Sequence, residues 1–257
     1  WKQLVVLPPE TGEPRAQART DTLVAFGLAL AAALAVKAPA LFGMDLYEDA
    51  AFYACNASFF VLPVLTGYFA WKRRLGTAIA GWLVAAFVAA AVFANVYPFA
   101  DDGHTQTLTA LHLPIALWMA VGVAYAGSRW RQVEGRMDFI RFSGELFIYY
   151  VLIALGGGVL IALTALIFEA IGVDIEPYLT GWSLPCGAVA GVVVASWLVE
   201  AKQSVIENIA PVLTRLFTPL FAAVLVAFLA TILWTGRGVD VERDVLIAFD
   251  LLLVLVL

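Results

Sequence analysis

Charge is what this sequence has least of. Only 14% of its 257 residues are Asp, Glu, Lys or Arg, whereas soluble domains carry about 25%. Histidine and cysteine are nearly missing, with two copies of each. Each shortage excludes something. His104 and His112 alone cannot build a multi-histidine metal site, and His104 with Asp101 and Asp102 reads as a solvated acidic loop. Cys55 and Cys186 can neither staple a secreted disulfide framework nor form a zinc motif. Set in apolar runs, they read as small buried side chains. The net charge of −5 and a pI near 5.0 argue against a nucleic-acid partner. Catalytic signatures are also absent: there is no GxSxG, no HExxH, no phosphate-binding loop and no GxGxxG after a strand. No cofactor, no metal and no catalytic residue is expected.

What fills the space is apolar. Hydrophobic residues make up 63% of the chain, against about 45–50% in soluble domains, and the mean hydropathy is +0.91. A soluble globular domain and a disordered chain are both excluded. Seven apolar segments, at about 22–42, 51–71, 76–100, 107–127, 145–172, 182–199 and 212–235, approach or exceed the ~20 residues of a spanning helix. They are apolar on every face instead of alternating with period two, so barrel strands do not fit. Lipid then leaves helices as the way to satisfy the backbone. The expectation is an all-α, polytopic transmembrane helical bundle. It has seven full spans and the start of an eighth near residue 245. Residues 1–21 form a cytoplasmic tail and 22–257 the helical domain. The first residue is Trp and the last apolar run, 245–257, is short of a span. The chain therefore reads as a fragment truncated at the C-terminal end.

Loop charges set the orientation. Twelve of the fifteen Lys and Arg residues fall in the tail or in the loops after spans two, four and six. The alternate loops carry Asp45, Glu48, Asp49, Asp101, Asp102, Asp174, Glu176, Asp240, Glu242 and Asp244. The positive-inside rule places the N-terminus in the cytoplasm, and the partner environment is a lipid bilayer. Lys37, near the outer end of span one, is expected to snorkel to the headgroups.

Polar residues within this apolar background are the candidate sites. From 197 to 219 the sequence reads WLVEAKQSVIENIAPVLTRLFTP. At 100° per residue, Glu200, Gln203, Ser204, Glu207, Asn208 and Arg215 share one stripe, with apolar residues opposite. Three uses are open: an interfacial helix with its polar face in water, the lining of a cytoplasmic cavity, or a face that docks a partner. Asp250 lies in the run LIAFDLLLVLVL and would cost about 2.5–3.5 kcal/mol to insert at a span's centre, so it calls for a partner or a wet cavity. His112 lies a short way into span four. Glu145 sits where a helix dipole favours a carboxylate, and Glu169 sits at headgroup depth. Gly156, Gly157 and Gly158 allow either close packing or an unwound helix lining a site. Gly187 and Gly191 form a GxxxG pair of the kind that packs helices.

Several strings are similar to those of a known family: LHLPIALWMAVGVAYAG (111–127), RMDFIRFSGELFIYYVLIALGGGVL (136–160), LPCGA (184–188), WLVEAKQSVIENIAPVLTRLFTPLF (197–221) and VLIAFDLLLVLVL (245–257). Together they resemble the bacterial membrane family called domain of unknown function 4153, over most of residues 50–257. The resemblance implies a bacterial inner membrane and further spans beyond this chain. It supplies no activity, substrate or catalytic residue; permease-like is a common guess for such proteins.

Two functional expectations follow. The first is a permease-like transporter of an unknown solute, with a cytoplasmic half-cavity lined by Glu200, Glu207 and Asn208 near Asp250 and the three glycines. The second is a non-catalytic membrane subunit or scaffold, as a homo-oligomer or in a membrane complex, that docks a partner through the 200–215 face. A membrane enzyme comes third, for want of a nucleophile–base pair.

Overall fold

The computed structural model describes residues 13–100, 104–201, 209–236 and 247. Among them every regular element is helical and no strand occurs. In chain order the helices are α1 (Glu13–Lys37), α2 (Ala50–Lys72), α3 (Thr77–Val96), α4 (His104–Ala126), α5 (Val133–Glu169), α6 (Glu176–Tyr178), α7 (Leu184–Ala201) and α8 (Ile209–Thr235). A 3₁₀ turn, Ala38–Phe42, prolongs α1, and a π-helical turn, Leu179–Ser183, joins α6 to α7. Seven of these stretches are long and apolar enough to cross a membrane. The protein is thus an all-α, multi-pass membrane bundle. One end of the bundle carries the basic loops and the other the acidic ones.

Large apolar side chains face outward in numbers that only lipid would solvate, among them Leu30, Trp82, Val88, Phe147 and Leu229. Inside, α1 packs most extensively on α7, and α2 on α4. Helix α5 lies against α7 and α4, and it also carries α8, which packs chiefly on α5. The core between these helices is aromatic. Phe142 stacks on Tyr125 with centroids 4.5 Å apart and meets Phe69 edge-on at 5.3 Å. Leu65, Phe69, Val121 and Ala195 are completely buried around them. A smaller cluster near the acidic end joins Ile167, Phe168 and Ile171 to Phe228 and Ile232 of α8.

One sequence expectation is corrected. Residues 128–144 are not a long loop, because α5 begins at Val133. The helical spacing of Phe139, Phe142, Leu146 and Tyr149, all buried, outweighs the charges that suggested a loop, and Arg136 and Arg141 simply stay exposed. At ~1.5 Å per residue, α5 runs about 55 Å, well beyond a ~30 Å hydrocarbon core. The turn before it is tight. Gly127 has φ +59°, which favours glycine. A Cβ at Gly135 would run into the Arg129 carbonyl oxygen, and Arg129 pairs with Asp138 at 3.3 Å.

The sequence leaves Gly156, Gly157 and Gly158 open between close packing and an unwound helix; in the structure α5 is continuous through all three. Gly156 takes the ring of Phe217 from α8, which a Cβ would meet at 2.5 Å. Cβ atoms at Gly157 and Gly158 would meet nothing within 4 Å.

Candidate functional site

The densest polar chemistry lies at the basic end, where α1, α2, α4 and α7 converge. Glu200, one residue before the end of α7, has only 5% of its side chain exposed. Its carboxylate accepts from Arg73 Nη2 at 2.9 Å and pairs with Lys72 Nζ at 3.2 Å. Lys72 also pairs with Asp21 of α1 at 3.6 Å and donates to the Tyr68 hydroxyl at 3.3 Å. The Arg73 guanidinium rests over the Tyr125 ring, 5.1 Å from its centroid, so the ion cluster is seated directly on the aromatic core. Among the described residues its four charges, two acidic and two basic, balance.

Local sequence explains the placement. Lys72 ends α2 and Arg73 caps it, where a helix C-terminus favours cations. Glu200 stands four residues after Ser196, which is fully buried, so it rises from the inward face of α7. The charges are divided by helix pair: both acids come from α1 and α7, and both bases from α2, whose partner α4 supplies Tyr125. The cluster is a clasp between the two most extensively packed helix pairs.

Of the candidate residues that the structure describes, Glu200 alone enters this cluster. Gln203, Ser204, Glu207, Asn208 and Asp250 lie outside the described residues. Arg215 is exposed on α8. His112 is exposed on α4 beside Thr105, Thr109 and Phe93, with Nδ1 2.9 Å from the Leu108 carbonyl. Gly157 and Gly158 line a crevice shared with α7 and α8. Glu145 is half-buried and Glu169 exposed.

Lys37 has partners within the bundle. Its ammonium donates to the Gly181 carbonyl in the π-helical turn and lies 4.7 Å from the Trp182 ring centroid. It therefore ties α1 to the start of α7. Nearby, outside the spans, the Asp45 carboxylate accepts from the backbone N–H groups of Tyr47 at 2.8 Å and Glu48 at 3.2 Å. These bonds hold its pKa below the usual aspartate value.

Three polar features went unread in the sequence. Asn56 and Asn95 exchange two amide hydrogen bonds, at 3.1 and 2.8 Å, between α2 and α3. Both are lone amides near the acidic end of their apolar runs, and that matched depth was the available signal. Trp118 Nε1 donates at 3.2 Å to the Ser143 hydroxyl, which itself donates to the Phe139 carbonyl. The third feature is Lys72 and Arg73 as partners of Glu200; as basic residues after span two they signal orientation and nothing of this contact.

Fold and cluster together define a multi-pass helical membrane protein with an ionic clasp at its basic end. Set against family models, curated proteins and solved structures, the chain matches none.

Proposed function

We propose that the chain is a permease-like transporter of the bacterial inner membrane, whose cytoplasmic gate is the Glu200 clasp. The observation carrying this reading is the division of charge by helix pair, with Asp21 and Glu200 on α1 and α7 facing Lys72 and Arg73 on α2. A charge cluster at a membrane bundle's end is costly as a static fastener, since apolar packing could join the helices equally well. Clasps of this kind suit two bodies that separate, and rocking of one helix group against another is how many transporters alternate access. The resemblance at residues 111–257 supports the bacterial inner membrane, and the basic loops support a cytoplasmic position for the clasp.

The test uses a chain with Cys55 and Cys186 replaced by Ala and a single reporter, Ser196→Cys, just beneath the clasp. In inverted vesicles, an impermeant maleimide is expected to react slowly with the parent and about tenfold faster once Glu200→Gln is added. Glu200→Arg combined with Arg73→Glu should restore protection. A panel of labelled organic anions, cations, amino acids and sugars then scores flux in the same vesicles. Equal protection in every variant, with no flux of any solute, would make the clasp a fixed staple and the protein a non-transporting subunit.

A further inference from the structure

The first part of α5 has a face that the bundle does not use. At about 100° per residue, Gly135, Phe139, Phe142, Leu146 and Tyr149, all buried, form the inward side of the helix. On the opposite side Val133, Met137, Ile140, Phe147 and Ile148 are between 53% and 67% exposed, within an arc of about 100°. Arg136 stands at one edge of that arc and Arg141 at the other, both exposed. An apolar stripe edged by cations suits a helix surface that meets a bilayer at its headgroups.

Packing fixes the level of this stretch. Phe142 stacks on Tyr125, and Tyr125 carries the Arg73 guanidinium over its ring. The stripe therefore lies level with the clasp, at the ends of α2 and α7. Farther along α5, Leu155 and Val159 are exposed on the face that lipid covers. The stripe continues a hydrocarbon-facing surface into the headgroup layer, and that continuity makes the bilayer its occupant.

Charge selects the kind of lipid. Arg129 is committed to Asp138, and the clasp is balanced among the described residues. Arg131, Arg136 and Arg141 have no ion-pair partner among the described residues, against two carboxylates in the same condition, Glu134 and Glu145. Both acids lie on the Arg141 side of the helix, so the Arg136 flank is purely cationic. A guanidinium presents paired N–H donors that match a phosphate. A zwitterionic headgroup already pairs its phosphate with its own ammonium, so excess guanidinium favours an anionic one. Trp130, with its ring centroid 4.8 Å from the Arg131 guanidinium, is of the residue type that settles at this depth.

We infer that residues 133–148 of α5 seat an anionic phospholipid of the adjoining leaflet. Arg136, with Arg141 across the stripe, holds the headgroup phosphate, and the acyl chains run along Ile140 and Phe147 toward Leu155. The seat does not depend on a transport role.

The full chain is reconstituted in nanodiscs of phosphatidylcholine and phosphatidylglycerol in equal amounts and transferred to mild detergent. Native mass spectrometry then counts the lipids that stay bound. Phosphatidylglycerol is expected to be retained about tenfold over phosphatidylcholine. Arg136→Gln combined with Arg141→Gln should bring the two lipids to equal retention. Arg74→Gln combined with Arg215→Gln removes the same charge from exposed positions off α5 and should keep most of the preference. An unchanged elution volume and helical circular dichroism confirm each fold. Equal retention by the parent would overturn the seat. So would the same loss in both double variants, which would reduce the effect to net charge. A soluble cytosolic protein that displaces phosphatidylglycerol and requires Arg136 would give the face to a partner and equally overturn it.

Discussion

Glu200 brings a full negative charge to a place where water hardly reaches it, and its worth depends on the two cations that meet it there. Removing one member of an enclosed ion pair costs about 3–5 kcal/mol because the survivor is stranded. Lys72 and Arg73 keep 22% and 32% of their side chains exposed, so solvent offsets part of that loss. Glu200→Gln is expected to destabilise the bundle by about 1–3 kcal/mol. Lys72→Met should cost less, since Arg73 still holds the carboxylate. Reversible unfolding in mixed micelles measures both; equal losses would refute the shared arrangement. Ser58 presents the opposite case. Its hydroxyl is buried on α2 without a hydrogen-bond partner among the described residues, so the folded state already bears its desolvation. Ser58→Ala should therefore be neutral or stabilising by up to about 1 kcal/mol. A clear loss of stability would mean the hydroxyl is satisfied after all.

Within α5, three consecutive glycines with the same chemistry have different surroundings. Replacing a mid-helix glycine by alanine ordinarily gains about 0.5–1 kcal/mol of backbone entropy. Gly158→Ala should show that gain, since its Cβ meets open space. Gly156→Ala should lose stability instead and loosen α8, because the new methyl occupies the place of the Phe217 ring. Comparing the two in the same unfolding assay, with protease accessibility of α8 as the second readout, separates packing from propensity. Why the sequence did not reveal this is physical. A GGG string reports missing side chains, but what fills the gap comes from residue 217, about sixty positions away.

For the molecule as a whole, the bilayer made the spans legible. Hydrocarbon demands an unbroken apolar run, and each of the seven runs read from sequence overlaps a span in the structure. Interhelical partnership is not written in that way. The link from Arg73 to Glu200 crosses 127 positions, and that from Lys37 to Gly181 crosses 144. The helical stripe therefore singled out Glu200 while leaving its partners unseen. Orientation rests on loop charge and has its own check. With Cys55 and Cys186 replaced by Ala, a cysteine at Glu48 should react with an impermeant maleimide from outside intact cells, and one at Arg131 only after lysis. The reverse pattern would invert the molecule.

The clasp divides its four charges so that each helix pair keeps one sign. Parting the pairs is then a separation of charge, with about two negative units on one body and two positive on the other. Dissolved ions stabilise such separated charges, over a screening distance of about 8 Å at physiological ionic strength. Were the proposed gate to open, salt would in that sense act as a ligand of the parted form. The electrolyte on the clasp's side of the membrane would set how readily the two halves of this protein come apart.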